Sequence, residues 1–493
     1  MNFSIIFYII GYVLKIEGYL MIIPALVGLF YRERQAYAFL ICAGITLLLG
    51  LLMTQRKPKN QIFYAREGFV SVALSWIALS LFGCIPFIMN GDIPRFVDAF
   101  FETASGFTTT GSTILTDVES LSHASLFWRS FTHWIGGMGV LVFILSVLPL
   151  TGGSTMHLMR AESPGPQVGK MVPKIRDTAK ILYIIYAVMT LTEIIILICC
   201  KMPVFDAVTL SFGSAGTGGF TTKNSGLADY SALCQYIIAI FVILFGVNFN
   251  VYFLLLRRHL RQALRYEESR WYMAIIGAST LMIFFNTLKL FSTAEEAFRH
   301  ALFQVGSIIT TTGYATTDFN YYPTFSKVIL VTLMFIGACA GSTGGGIKVS
   351  RIVTLFKTVV NELARIIHPR TVKKVRLDGK VIDHSTMRSI NTYMAAYVFL
   401  YFGSLLLISL DNMDFTTNFT AVAATLNNIG PGLEVVGPMG NFSTFSDLSK
   451  IVFSFDMIAG RLELFPLLIL FSPLTWKQPF KKGAQKLVKK DSE

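Results

Sequence analysis

Four short stretches of this 493-residue chain set a glycine among small or polar neighbours: Thr108-Thr109-Thr110-Gly111-Ser112, Gly216-Thr217-Gly218-Gly219-Phe220, Thr310-Thr311-Thr312-Gly313-Tyr314 and Asn427-Asn428-Ile429-Gly430-Pro431. Glycine freely adopts the backbone conformations that turn successive carbonyls toward one point, and threonine adds a hydroxyl oxygen. The chemistry on offer is coordination. A ring of carbonyls replaces the water shell of a cation without introducing a fixed charge. The candidate ligand positions are Thr109, Thr110, Gly111, Gly218, Gly219, Thr311, Thr312, Gly313, Asn428, Ile429 and Gly430. Within that set the expected ion contacts are Thr110, Gly111, Gly219, Thr312, Gly313, Ile429 and Gly430.

The four stretches are copies of one unit. Fifteen residues before each central glycine stands an apolar residue: Phe96, Val204, Phe298 and Phe415. Eleven before stand Phe100, Val208, Leu302 and Phe419, and twelve before stand Ala99, Ala207 and Ala301 in the first three copies. The glycines lie 108, 94 and 117 residues apart. Matched offsets over such intervals mark an internal fourfold repeat. Any one Thr-Thr-Thr-Gly can be an ordinary loop cap, but four at matched offsets are not.

What must position these turns is a membrane domain. The chain is 53% hydrophobic and only 14% charged, with a mean hydropathy of +0.58. A soluble chain of this size needs more charge on its surface. Runs long enough to span a bilayer, roughly 20 residues, lie near 5–30 and 36–54, followed by four pairs: 68–90 with 124–149, 178–200 with 232–256, 271–291 with 324–350, and 388–410 with 448–473. Inside each pair sits a shorter apolar segment (95–107, 203–215, 295–310 and 413–427) that runs into the glycine turn. Segments of that length are expected as re-entrant helices, whose C-terminal ends bring partial negative charge to the turns. The expected fold is an all-α integral membrane protein: four pseudo-symmetric span–pore helix–filter–span repeats around a central pore, plus two N-terminal spans.

The net charge of +13 is not spread evenly. Basic residues gather in Arg56 to Arg66, Arg160 to Lys180, Arg257 to Arg270, Lys348 to Arg388 and Lys477 to Lys490. These alternate with acidic, Lys/Arg-poor connections that hold the four turns. By the positive-inside rule the turns face outward and the basic loops face the cytoplasm; Arg32 and Arg34 fit poorly, being placed outside if both N-terminal runs span. The alternation speaks against nucleic acid as a partner, and favours anionic lipid headgroups at the basic loops. The N-terminus carries no cleavable secretory signal pattern. Cys42, Cys84, Cys199, Cys200, Cys234 and Cys339 lack metal or disulfide-framework spacing and read as packing residues.

Two further features stand out within the spans. Gly337-Ala338-Cys339-Ala340-Gly341-Ser342-Thr343-Gly344-Gly345-Gly346 interrupts the second span of unit three, where each glycine costs roughly 1 kcal/mol relative to alanine in a helix. It imitates a phosphate-binding loop, but Ile347 separates Gly346 from Lys348 and no strand precedes it. Gly213 to Gly219 imitates a dinucleotide loop equally without context. Arg461 lies inside the last span, where an arginine costs at least roughly 2.5 kcal/mol and so faces a cavity or a partner; Asp456 and Glu463 are the nearby candidates for a salt bridge. Glu193 and His133 read as capping or bridging groups, with proton relay as the alternative. Gly136-Gly137-Met138-Gly139 reads as a close helix-packing contact.

Together these motifs resemble the superfamily of Trk, Ktr and HKT potassium transporters. The two extra N-terminal spans, Thr-Thr-Thr-Gly-Ser in unit one and Asn-Ile-Gly-Pro-Gly in unit four are similar to its TrkH/TrkG branch. The resemblance covers essentially the whole chain. It implies that Gly111, Gly219, Gly313 and Gly430 form the filter, and that potassium is the ion, because unit one carries glycine where many sodium-conducting relatives carry serine. It implies a gate beneath the filter at Gly341, Ser342, Thr343, Gly344, Gly345 and Gly346, facing Arg461. It further implies a homodimer in the bacterial inner membrane, gated by a cytosolic nucleotide-binding ring of the TrkA type, with no nucleotide or other cofactor bound by this chain itself.

The corresponding divisions are an N-terminal hairpin (1–66), repeat one (67–160), repeat two (161–265), repeat three with the gating loop (266–387), repeat four (388–477) and a basic cytoplasmic tail (478–493). Competing functions are a sodium-permeable or weakly selective transporter of the same fold, a pore subunit driven by a separate ATPase, and an intramembrane enzyme. The last lacks any His-Glu-x-x-His motif, Ser/His pair or Asp pair in the spans.

Overall fold

The computed structural model describes residues 1–58, 65–139, 175–370 and 373–476. Among these the chain is almost entirely helical; one antiparallel hairpin pairs Arg376–Leu377 with Lys380–Val381. The basic stretch 160–174, the remainder of the 124–149 run and the tail 478–493 lie outside the described residues, as does the boundary drawn between the first two repeats at 160.

The N-terminal pair forms helices Phe3–Phe30 and Ala36–Thr54. They touch through glycine: a Cβ on Gly50 would lie 2.8 Å from the Lys15 nitrogen. The hairpin tip docks on unit one. There Glu33 accepts the backbone N–H groups of His123 (2.9 Å) and Ala124 (3.1 Å), which open the His123–Gly137 helix. This satisfies donors that a helix N-terminus leaves unpaired.

Each of the four units then follows one plan. A long first helix (Ala65–Gly83, Ile175–Cys199, Glu267–Thr287 or His384–Ile408) is followed by a short one: Phe96–Phe107, Val204–Gly216, Ala294–Ile309 or Phe415–Leu426. Asp98, Asp206, Glu295 and Glu296 sit in the first turns of these short helices, and Asp414 caps the fourth through the Thr417 N–H. Carboxylates there complement the positive helix end. The second helices start from serine caps at Ser122, Ser231 and Ser446, and after Pro323 in unit three.

The second spans of units two and four differ from the expectation of unbroken runs. That of unit three breaks at its glycine run as expected, and that of unit one lies outside the described residues beyond 139. The described helices His123–Gly137, Ala232–Phe245, Thr324–Ile336 and Asp447–Arg461 contain only 15, 14, 13 and 15 residues. Among the described residues, five helices are long and apolar enough to cross a membrane, or six if Ala232–Phe245 and Phe249–Leu256, bent by 91°, count as one. At Gly246 the chain runs against Tyr272, whose hydroxyl oxygen would lie 2.4 Å from a Cβ. At Gly337 the backbone turns left-handed (φ +73°), and at Glu463 and Leu464 it does so again (φ +55° and +68°). Hydropathy registers none of these except the glycine run of unit three. Cys42, Cys84, Cys234 and Cys339 are buried as packing residues, whereas Cys199 is exposed at a helix end and Cys200 half-buried.

Candidate functional site

The short helices end in four matching turns. Thr109, Thr217, Thr311 and Asn428, each two residues before the central glycine, adopt left-handed backbone with φ of 56°, 56°, 60° and 58°. The glycines follow at φ of 83°, 84°, 81° and 103° for Gly111, Gly219, Gly313 and Gly430. The residue between them reaches back to the helix in every copy. Thr110 N–H donates to Ser105 O (2.9 Å), Gly218 to Gly213 (2.8 Å), Thr312 to Ser307 (2.8 Å) and Ile429 to Ala424 (2.8 Å). In units one and three the first threonine fastens the third: Thr108 Oγ1 to Thr110 Oγ1 and Thr310 Oγ1 to Thr312 Oγ1, both 2.8 Å.

The turns close on one another in order. A Cβ on Gly111 would lie 2.0 Å from Gly218 O, one on Gly219 2.0 Å from Thr312 O, and one on Gly313 1.9 Å from Ile429 O. The circuit completes at Gly430, 2.9 Å from Thr110 O by the same measure. Each glycine thus lies against the carbonyl just before the next glycine. Only a residue without a side chain fits, on space as well as on φ. A cavity of about 80 Å³ is lined by all four glycines, with Arg129, Thr221 and Pro431. His133 is buried against this assembly, its Nδ1 donating to Gly106 O (2.7 Å) and its Nε2 accepting from Phe220 N–H (3.2 Å). It bridges the first short helix and the exit of the second turn. Gly136 and Gly137 make close contacts too, Gly136 against Phe107 O and Gly137 against the Gly216 Cα.

The glycine-rich loop of unit three packs against the turns. Gly345 N–H donates to Thr311 Oγ1 (2.6 Å) and Gly346 N–H to Asn427 O (3.1 Å). Gly344 has no room for a side chain, with Thr310 O 2.7 Å from its Cβ position. Arg461 grips the same loop, Nη1 donating to Thr343 O (2.8 Å) and Nη2 to the Gly136 and Gly137 oxygens (2.5 and 2.8 Å). Of the acidic neighbours considered for it, Asp456 accepts from Ser404 (2.7 Å) and Glu463 from Arg351 (2.6 Å).

Sequence reasoning passed over three residues that organise this loop. Glu268, 2% exposed, accepts the N–H groups of Ala340 (2.6 Å) and Ser350 (3.1 Å) at its two ends. Buried Lys348 donates to Gly344 O. Asn248 links the bend after Phe245 to Glu268 (3.4 Å). These partners of Glu268 and Asn248 lie 20 to 82 residues away, so no local spacing announces those two. The composition of unit three offered one signal, an acidic pair at the start of a membrane helix.

The relatives of this mostly helical, multi-pass membrane protein are transport proteins. Residues 32–478 match the family model of TrkH, "Cation transport protein", and the chain belongs to that family. It is 38% identical to the Trk system potassium uptake protein TrkH of Escherichia coli K12, over 97% of this chain and 100% of that one. It is 32% identical to TrkG of the same organism, over 95% and 97%. The crystal structure of the potassium transporter TrkH from Vibrio parahaemolyticus superposes with a TM-score of 0.86 at 35% identity, covering 97% of this chain and 100% of that one.

Proposed function

We propose that this chain conducts potassium across the bacterial inner membrane through a pore at the centre of the four glycine turns. The observation that carries this is the closed circuit from Gly111 through Gly219 and Gly313 to Gly430, each glycine lying against the carbonyl that precedes the next. On this reading the four units are pseudo-symmetric repeats around the pore, divided as the sequence suggests at 67, 161, 266 and 388. Thr109, Thr110, Thr311, Thr312, Asn428, Ile429 and Gly218 contribute to the filter with the four glycines. Backbone carbonyls and the negative ends of the short helices replace ion hydration there. The relatives' names point to potassium. The acidic, Lys/Arg-poor connections argue for turns that face outward.

The loop Gly341 to Gly346 is the proposed gate. Irregular backbone at such depth is tolerated where it lines a cavity, and Arg461 places a positive charge on it that opposes cations while it is shut. The name "Trk system" supports a cytosolic nucleotide-binding partner of the TrkA type acting on a homodimer, with basic loops available to it or to lipid headgroups.

The test is rubidium against sodium flux into liposomes holding the purified protein, for wild type and Gly111→Ser. Preference for rubidium that the substitution erodes supports a potassium filter. Equal passage of both ions moves the reading to the weakly selective alternative, and no flux even in Arg461→Ala with a cytosolic partner present removes the pore.

A further inference from the structure

We infer that Arg129 and Glu102 form a buried strut that sets the ion preference of the pore by fixing the first and second glycine turns relative to each other. The inference rests on the pore reading above and adds a positioning pair to it. Glu102 belongs to the Phe96–Phe107 helix and is 1% exposed; Arg129 belongs to the His123–Gly137 helix and is 2% exposed. Arg129 Nε donates to Glu102 Oε1 (2.9 Å), and Nη2 lies 2.8 Å from the same oxygen.

Both residues continue into the turns. Glu102 Oε2 accepts the Ile114 N–H (3.0 Å), and Thr113 Oγ1 donates to the carboxylate at 2.9 and 3.0 Å, two residues beyond Gly111. Arg129 Nη1 donates to Thr221 O (3.3 Å), two residues beyond Gly219, and its guanidinium carbon stands 4.1 Å from the Phe220 ring centroid. One ion pair therefore ties a short helix, the exit of turn one and the exit of turn two. The guanidinium also borders the cavity that all four glycines line.

The pair breaks the likeness of the four units. Nine residues before the central glycine, the other units carry Leu210, Gln304 and Ala421 where unit one carries Glu102. Gln304 makes a neutral version of the same tie, its Nε2 donating to Thr317 O (3.3 Å). A buried ion pair is retained at a desolvation cost, and removing one partner leaves an uncompensated charge. Two N–H groups of one planar guanidinium converge on Oε1, an arrangement that lysine cannot reproduce. Such a tie fixes distance, and distance between the carbonyls of adjacent turns is what separates one bare cation from another.

The experiment compares rubidium and sodium flux in liposomes for wild type, Glu102→Gln, Arg129→Lys and Thr113→Val. The last removes one hydroxyl and leaves both charges in place, so it remains informative if a charge variant does not fold. The expected result is a fall in rubidium preference of about tenfold for the charge variants, equal to about 1.4 kcal/mol of relative site free energy, and a smaller fall for Thr113→Val. A purely structural role would lower both fluxes together; an unchanged ratio in the folded variants overturns the inference while leaving the pore intact. Absence of flux in both the wild type and Arg461→Ala, with a TrkA-type partner supplied, removes the pore reading and the strut with it.

Discussion

Gly345 hangs from Thr311: its backbone N–H donates to the Thr311 hydroxyl at 2.6 Å, joining the glycine-rich loop to the third glycine turn. Gly344 lies so close to Thr310 O that a side chain there would clash. If this loop is the gate proposed above, the bond holds it in place beneath the turns and is a direct handle on gating. Thr311→Val keeps the branched shape and removes the acceptor. A hydrogen bond contributes about 1 kcal/mol net, so basal rubidium flux in liposomes without any partner should rise roughly fivefold, with ion preference retained. Flux at the wild-type level would mean that the loop is not the barrier.

Arg461 holds the loop from the other side, through Thr343 O, and reaches the end of the first unit's second helix through Gly136 O and Gly137 O. Hydrogen bonds from a charged donor contribute roughly 1.5–3 kcal/mol. Arg461→Gln removes the charge and most of the grip, and should raise basal flux by about tenfold or more. Arg461→Lys keeps the charge without the fork and should fall between the two. If Lys and Gln variants pass ions equally, geometry outweighs charge at this position.

Glu268 offers a third approach to the same loop from outside the turns. It receives Ala340 N–H and Ser350 N–H from opposite ends of the loop. Glu268→Gln replaces an acceptor-only carboxylate with an amide that can still accept once at each lone pair of its oxygen but loses the charge assistance. The expected outcome is a faster-exchanging loop, read as lower hydrogen-exchange protection at Ala340 and Ser350, with the protection of the Ala294–Ile309 helix unchanged. Equal loss in both places would indicate general destabilisation instead.

These residues also show how far the chain could be read unaided. The short helices emerged within a residue or two of their observed limits, because each is an apolar run too short to span and its apolar offsets repeat in four copies. The turns were legible for the same reason: glycine at one offset, four times. Of the breaks in the second helices only the glycine run of unit three was legible, since the kinks at Gly246 and Leu462 arise from tertiary contact with Tyr272 and from left-handed backbone at Glu463 and Leu464. Hydropathy averages over such breaks. Arg461 was visible as a charge out of place, but its carbonyl acceptors were not, because a carbonyl leaves no trace in residue identity. Arg129 and Glu102 lie 27 residues apart on different helices, and nothing in either local pattern couples them.

Two glycines provide a control on every glycine argument here. Gly277, within Glu267–Thr287, and Gly403, within His384–Ile408, have nothing within 4 Å of a Cβ position and ordinary helical backbone. Alanine there should stabilise each helix by about 0.5–1 kcal/mol, read as a higher thermal midpoint in detergent with flux unchanged. A lower midpoint would show that these faces are packed against another chain.

The ring glycines should behave in the opposite way, and not equally. A Cβ would stand 2.0, 2.0 and 1.9 Å from a backbone oxygen at Gly111, Gly219 and Gly313, but 2.9 Å at Gly430. All four also carry positive φ, which costs an L-residue roughly 1–2 kcal/mol. The conformational term is therefore shared and the steric term is not. Backbone carbonyls at 2 Å cannot be relieved by a rotamer change, so alanine at the first three positions must push adjacent turns apart. At Gly430 a shift of a few tenths of an ångström relieves most of the overlap. Gly430→Ala is expected to retain the most rubidium preference in liposome flux, with Gly111→Ala, Gly219→Ala and Gly313→Ala losing it together. Should Gly430→Ala prove the most damaging, steric closure of the ring is not what sets selectivity, and the ligand geometry of the fourth turn becomes the controlling element.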